Sequence, residues 1–127
     1  MRHTALVLLV SPLLLASCGG GTTSSSTTNP SPAPAATITI TSSGVSPKSV
    51  TVKPGSQVQF VNNDSRSHQI NSDPHPEHTD CPELNAVGFL SPGTSRQTGN
   101  LNTVRTCRYH DHDLPTNQSF QGAIVIQ

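Results

Sequence analysis

The chain has 127 residues, seven Lys+Arg against seven Asp+Glu, 3% aromatic residues and no Trp. This neutral balance argues against nucleic acid as the main partner, because phosphate binding needs clustered cations. The histidines are the unusual feature of the composition, since all but one of the six lie between residues 68 and 112.

Residues 1–18 have the pattern of an export signal. Arg2 and His3 give a polar start, an apolar run follows, and the segment ends in Leu15-Ala16-Ser17-Cys18. The run is too short to cross a bilayer as a mature helix. Its last four residues resemble the bacterial lipobox, which implies lipidation of Cys18 and a protein anchored to the cell envelope, facing the periplasm or the exterior. The alternative is an ordinary signal peptide with a chance cysteine.

A segment without large apolar side chains follows. Residues 19–36 read GGGTTSSSTTNPSPAPAA, a composition that predicts a disordered tether. A flexible coil of this length would hold the domain about 20–25 Å from the membrane. One folded domain remains, at residues 37–127, and its small size leaves little room for a deep substrate pocket. We therefore expect a protein that is not an enzyme.

The rest of the chain is predicted to form strands. Polar and apolar residues alternate in short runs, separated by turns such as 44–47 and Pro54-Gly55. Residues 71–86 carry three prolines and are predicted as a long loop. The predicted strands are 37–41, 49–52, 57–61, 67–70, 87–90, 94–101, 103–109 and 122–126. This spacing, without a helical apolar period, predicts an all-β fold, a small sandwich or barrel.

Two stretches carry a family resemblance. The first runs from Asn62 to Ile70 and contains His68; the second is Cys107-Arg108-Tyr109-His110, followed by the closing strand at 122–126. In this order, and with the opening strands, they resemble the cupredoxins, the plastocyanin-like blue copper proteins, over about residues 37–127. The resemblance implies a Greek-key β-sandwich that binds copper through His68, Cys107 and His110. We expect a monomer that serves an exported redox or copper-handling protein.

The sequence departs from this family in two ways. The weak axial Met of a blue site stands two residues before the closing Gly, where this chain has Phe120. Gln118 is nearby, but its offset is unsuitable. Removal of Cys18 by lipidation leaves Cys81 and Cys107, and an even pair in an exported domain suggests a disulfide. Whether Cys107 is a thiolate ligand or a disulfide partner stays open at this point.

If the disulfide forms, the histidines must bind the metal alone. In an extended chain His110 and His112 point the same way, and the loop after His68 carries His75 and His78. A Pro-His-Pro-x-His loop with a late His-x-His resembles a subgroup of bacterial cupredoxin-like lipoproteins without a full blue site. Imidazole ligands of this kind would form a pale type-2-like copper centre or a zinc site.

Three functions follow from these alternatives. A copper-dependent electron carrier requires Cys107 as a thiolate and would be intensely blue. A metal-binding or delivery module is compatible with a Cys81–Cys107 bridge and needs no thiolate. A structural or adhesive sandwich with solvated histidines would bind no copper. Free thiols in the unreduced protein distinguish the first two functions.

Overall fold

The structure, a computed structural model, describes residues 33–127. The predicted signal and lipidation site at residues 1–18 lie outside this range, as does most of the predicted tether. Nothing helical within residues 33–127 has the length and hydropathy needed to span a bilayer. The strands of this part of the chain are β1 (Ala36–Thr41), β2 (Gly44–Ser46), β3 (Ser49–Val52), β4 (Val58–Asn62), β5 (His68–Ser72), β6 (Gly88–Leu90), β7 (Ser95–Gln97), β8 (Arg105–Asp111) and β9 (Gly122–Ile126).

The strands form two sheets. One sheet has the order β2-β1-β4-β7 and the other the order β3-β9-β8-β5-β6. The pairs β1–β4 and β3–β9 are parallel, and the remaining pairs are antiparallel. The predicted all-β fold is therefore confirmed. It places the β5–β8 pair, which carries His68, Cys107 and His110, in the middle of the second sheet.

The core lies between the two sheets. Alternate residues of each strand point inward, so that Ile38, Phe60, Ile70 and Ile124 are fully buried. Tyr109 joins them and meets Phe60 edge to face, with 5.1 Å between ring centroids. Each such apolar side chain contributes about 1.5–3 kcal/mol through its removal from water, which gives the rigid support on which the site is built.

Several strand boundaries differ from the predicted ones, and three of the differences affect how the strands pair. The predicted turn at 44–47 contains β2, which pairs back on β1. The predicted strand 94–101 keeps only β7, because the Thr98 hydroxyl accepts from the Val58 N–H and the chain then turns away. The last difference matters most: β8 continues past residue 109 and pairs Ile70 with Asp111 and Asn71 with His110. Asp111 and His110 are therefore strand residues on opposite faces of one sheet.

Candidate metal centre

Four imidazoles converge on the outer face of the five-stranded sheet. His75 and His78 come from the loop after β5, and His110 and His112 come from the end of β8. One ring nitrogen of each lies within 4.8 Å of the corresponding nitrogens of the others. Imidazole nitrogen suits copper and zinc in particular. The predicted loop histidines and the predicted His-x-His pair are thus brought together, as a metal centre requires.

His110 is the most rigidly held of the four. Its side chain is buried under the loop, and its Nδ1 lies 2.7 Å from a carboxylate oxygen of Asp73. The carboxylate accepts a hydrogen bond from the Nδ1–H group, which leaves the lone pair on Nε2 free. Nε2 is buried and has no hydrogen-bond partner among the described residues. A metal ion bound at this point would satisfy the nitrogen.

His78 is held by its backbone. It has a φ of +54°, in the left-handed region that a residue with a side chain rarely adopts. Its N–H donates to the Pro74 carbonyl at 2.7 Å, and its own carbonyl accepts from the Asn85 amide at 2.7 Å. Asn85 in turn accepts from the N–H of Ser72 in β5. The strained backbone is thereby tied to the sheet, as is typical of functional sites.

The surroundings of His78 also set its charge. Burial, followed by the neighbouring rings of His110, His112 and His75, lowers the pKa of His78 below that of an ordinary histidine. A lowered pKa keeps the imidazole neutral to lower pH. Neutral imidazole is the form that binds a metal.

The other two rings complete the cluster on its solvent side. The His112 N–H donates to the Gln69 carbonyl of β5, and its Nδ1 lies 3.2 Å from Nε2 of His78. His75 is exposed, with its ring centroid 4.9 Å from that of His112. The centre is therefore fixed on the sheet side by His110 and open to solvent beside His75.

A disulfide attaches the loop to β8. Cys81 and Cys107 are bonded and fully buried, with 5.6 Å between their Cα atoms. At its other end the loop is fixed by the Asp73 N–H, which donates to the Arg108 carbonyl. The structure thus selects the disulfide for Cys107 and excludes the thiolate ligand that the cupredoxin resemblance implied. Both ends of the histidine-bearing loop are held against the strand that supplies His110.

His68 lies elsewhere, and this corrects the expected pairing of His68 with His110. It points into the sandwich on the same face as Ile70, with 1% of its surface exposed. Its Nδ1 is 2.6 Å from Asp111 and its Nε2 is 3.1 Å from Asp64. With both nitrogens engaged by carboxylates, and with the sheet between it and the cluster, His68 does not join the other histidines.

The ligand set of a blue copper site therefore does not fit this chain. Phe120, at the position expected for the axial Met, does contact His68, with ring centroids 5.1 Å apart. The β8 residue that faces His68 is Asp111, however, whereas Cys107 lies four residues earlier on the same face. Gln118 is exposed and belongs to neither histidine site. Sequence reasoning did not assign Asp111 to the inward face, although the two-residue period counted from Cys107 places it there.

Comparison with known proteins supports the architecture. A purple cupredoxin from Nitrosopumilus maritimus is similar in structure (TM-score 0.59, 19% identity, over 72% of this chain and 99% of that chain). So are the oxidized form of plastocyanin from Dryopteris crassirhizoma (TM-score 0.56, 20% identity, 72% and 99%) and the reduced state of an amicyanin mutant (TM-score 0.55, 15% identity, 72% and 80%). No family model and no curated protein matches the sequence. The two sheets and these likenesses together identify the protein as cupredoxin-like in its fold.

Proposed function

We propose that the protein is a non-blue copper-binding module, which holds one copper ion between His75, His78, His110 and His112. The observation that carries this proposal is the convergence of four imidazoles, with one ring nitrogen of each within 4.8 Å of the others. Within residues 33–127, the buried Nε2 of His110 has no hydrogen-bond partner. The carboxylate of Asp73 on the other side of that ring supports it, because metal-binding histidines usually donate their second N–H to such a group.

Copper is favoured over zinc by the donor set. A given nitrogen site binds copper(II) more tightly than zinc(II) among the first-row dications. Four neutral imidazoles without a thiolate also offer no strong preference for copper(I). Zinc remains the second candidate, since it takes imidazole ligands in tetrahedral sites.

Capture and delivery of copper suit this site better than electron transfer. Electron transfer was the expectation for a thiolate-bound ion, and Cys107 is bonded to Cys81. The exposed ring of His75 gives an incoming donor access to the ion, while His110 stays fixed. We therefore propose that the partner is an exported copper-handling protein and that the module itself has no catalytic role.

We also propose that the module is lipid-anchored through Cys18 and separated from the membrane by the tether at 19–36. The lipobox-like end of the export signal supports this. Wild-type protein is expected in the membrane fraction of cells that express it. Cys18→Ser is expected to leave it outside that fraction, and an unchanged membrane location for this variant would contradict the anchor.

The metal site is tested by titrating copper(II) into the purified metal-free chain. We expect one ion per chain, a pale colour, and nitrogen hyperfine structure in the electron paramagnetic resonance spectrum. Gln substitution of His75, His110 or His112 should each weaken binding by roughly 100-fold or more, beyond the 10–100-fold that loss of a supporting group causes. His68→Gln is the matched control and should keep one ion per chain.

Two results would overturn the proposal. An intensely blue copper form would require a thiolate and hence a free Cys107. Loss of copper in His68→Gln, together with normal binding in His75→Gln and His112→Gln, would place the metal inside the sandwich. A parallel titration with zinc(II) determines which metal the site prefers.

A further inference from the structure

Asn85 connects two parts of the chain beside the histidine cluster with a single side chain. Its Nδ2 donates to the His78 carbonyl at 2.7 Å, and its Oδ1 accepts from the Ser72 N–H at 2.8 Å. Distances of this length are typical of well-formed hydrogen bonds. The amide therefore joins the backbone of one proposed ligand to the last residue of β5, the strand that precedes the histidine-bearing loop.

The position of Asn85 is determined by the core next to it. Asn85 lies in the short 3₁₀ turn Leu84–Ala86, and the neighbouring Leu84 and Val87 are both fully buried in the core. The Leu84 N–H donates to the carbonyl of Cys81, which is buried and attached to β8 by the disulfide. Side chains in a close-packed core have little freedom to move. Asn85 is thus held by the core and the disulfide, and its two hydrogen bonds transfer this support to the loop.

The two hydrogen bonds act on two different ligands. His78 has a φ of +54°, a conformation that persists only where the surroundings hold it, and the bond from Asn85 is one of the contacts that do so. On the other side, Ser72 directly precedes Asp73, whose carboxylate lies 2.7 Å from Nδ1 of His110. One amide therefore restrains the backbone of His78 and the backbone next to the group that orients His110.

We propose that Asn85 is a positioning residue of the metal centre, which holds His78 and the Asp73–His110 pair in a fixed relation before an ion binds. The inference rests on the proposed function, because it assigns these histidines to one metal. Ligands that are already in place lose less freedom when the ion binds, and they bind it more tightly for that reason. Loss of the amide should therefore lower metal affinity although every ligand is still present.

Asn85→Ala removes both hydrogen bonds and is compared with wild type in two measurements. Copper(II) titration should still give one ion per chain, with binding weakened about 10–100-fold, as for other groups that orient a ligand. In the metal-free chain, amide hydrogen exchange followed by NMR should be faster at Ser72, which loses its acceptor, and at His78, which loses a restraint. In a His78→Gln background the substitution should weaken copper binding less than in wild type, because the two residues share one interaction.

Gln57→Ala is the matched control. The Gln57 amide also donates to a backbone carbonyl, that of Thr98 at 3.0 Å, but it does so next to β4 in the other sheet. This variant should keep wild-type copper affinity and wild-type exchange at Ser72 and His78.

Unchanged copper affinity in Asn85→Ala overturns the inference. Equal weakening by Gln57→Ala and Asn85→Ala also overturns it, because a general loss of stability would then explain the effect. Failure of the wild type to bind copper overturns the proposed function instead. In that case the exchange rates of the metal-free chain decide the present inference: faster exchange at Ser72 and His78 in Asn85→Ala supports the holding role of the amide, and unchanged exchange contradicts it.

Discussion

Histidines occupy both faces of one sheet, and their chemistry is opposite: an inner group consists of His68 with Asp64 and Asp111, and an outer group consists of the four imidazoles of the cluster. Inside the sandwich, His68 is 1% exposed and gives both ring nitrogens to carboxylates. Outside it, His110 gives one nitrogen to Asp73, the other nitrogen has no partner in the described part of the chain, and the ring lies beside three more imidazoles. A histidine whose nitrogens are both engaged has no lone pair to offer a metal. The free nitrogen, rather than the histidine itself, therefore marks the candidate site.

The inner group stabilises the strand end from which the outer group projects. Asp111 stands between His110 and His112 in the chain and accepts hydrogen bonds from His68 and from the Gln69 and Asp113 N–H groups. Its carboxylate is thus fully used within the fold. The inner group holds the end of β8 in place, and the outer face of the same sheet provides the histidines of the cluster.

The largest expected effect comes from removing the inner imidazole. His68→Leu leaves the buried carboxylates of Asp64 and Asp111 without their shared donor. We expect a loss of about 3–5 kcal/mol in the free energy of unfolding, the usual cost of breaking a buried charged pair. Urea denaturation of the metal-free chain measures it. At temperatures where the variant is folded, copper stoichiometry should stay at one.

His75→Gln is the opposite case and the control for this prediction. The ring of His75 is exposed and makes no contact with the core. The free energy of unfolding should therefore change by less than about 0.5 kcal/mol, while copper affinity should fall strongly. Equal effects of the two variants on stability would show that the two groups do not have separate roles.

The disulfide joins the histidine-bearing loop to β8, and its removal should have the next largest effect on stability. Replacing Cys81 and Cys107 together by Ser opens a loop with a sequence separation of 26 residues. We expect a loss of about 2–4 kcal/mol in unfolding free energy, together with weaker copper binding because His75 and His78 lie within the released loop. Thiol titration of the unreduced wild type should find no reactive Cys107. Unchanged copper affinity in the double variant would contradict the positioning role of the bridge.

A smaller effect is expected from the carboxylate behind His110. Asp73→Asn can still hydrogen-bond the ring but no longer holds the proton at Nδ1 by charge. Copper affinity should fall about 10–100-fold, as for other groups that orient a ligand, with little change in stability. Asp80→Asn removes an exposed carboxylate near the end of the same loop and serves as the control. Equal losses in both variants would indicate a general charge effect instead.

The sequence predicted much of this arrangement, and its error has a physical cause. Alternation predicted most strands, the pair of cysteines that remains after Cys18 suggested the bridge, and the paired histidines suggested a shared metal. The separation of His68 from His110 was not predicted, because it depends on the register between β5 and β8. That register pairs Asn71 with His110 across the sheet, and a shift of one residue would have turned His110 inward. Long-range register of this kind is not encoded in local patterns.

The smallest expected effect is a pH dependence of stability that arises from Asp64 in the inner group. Burial acts to raise the pKa of Asp64, but hydrogen bonds from His68, the Ser65 N–H and Arg66 outweigh it, so the pKa is lowered. Because the folded pKa lies below the unfolded one, this carboxylate stabilises the fold above about pH 4 and loses that contribution as the pH falls through its folded pKa. Asp64→Asn should therefore be less stable than wild type near neutral pH, and the two should converge in acid. Urea midpoints of the metal-free proteins across this range test the prediction, and a difference that does not change with pH would contradict it, because a contact that does not titrate would then account for the loss.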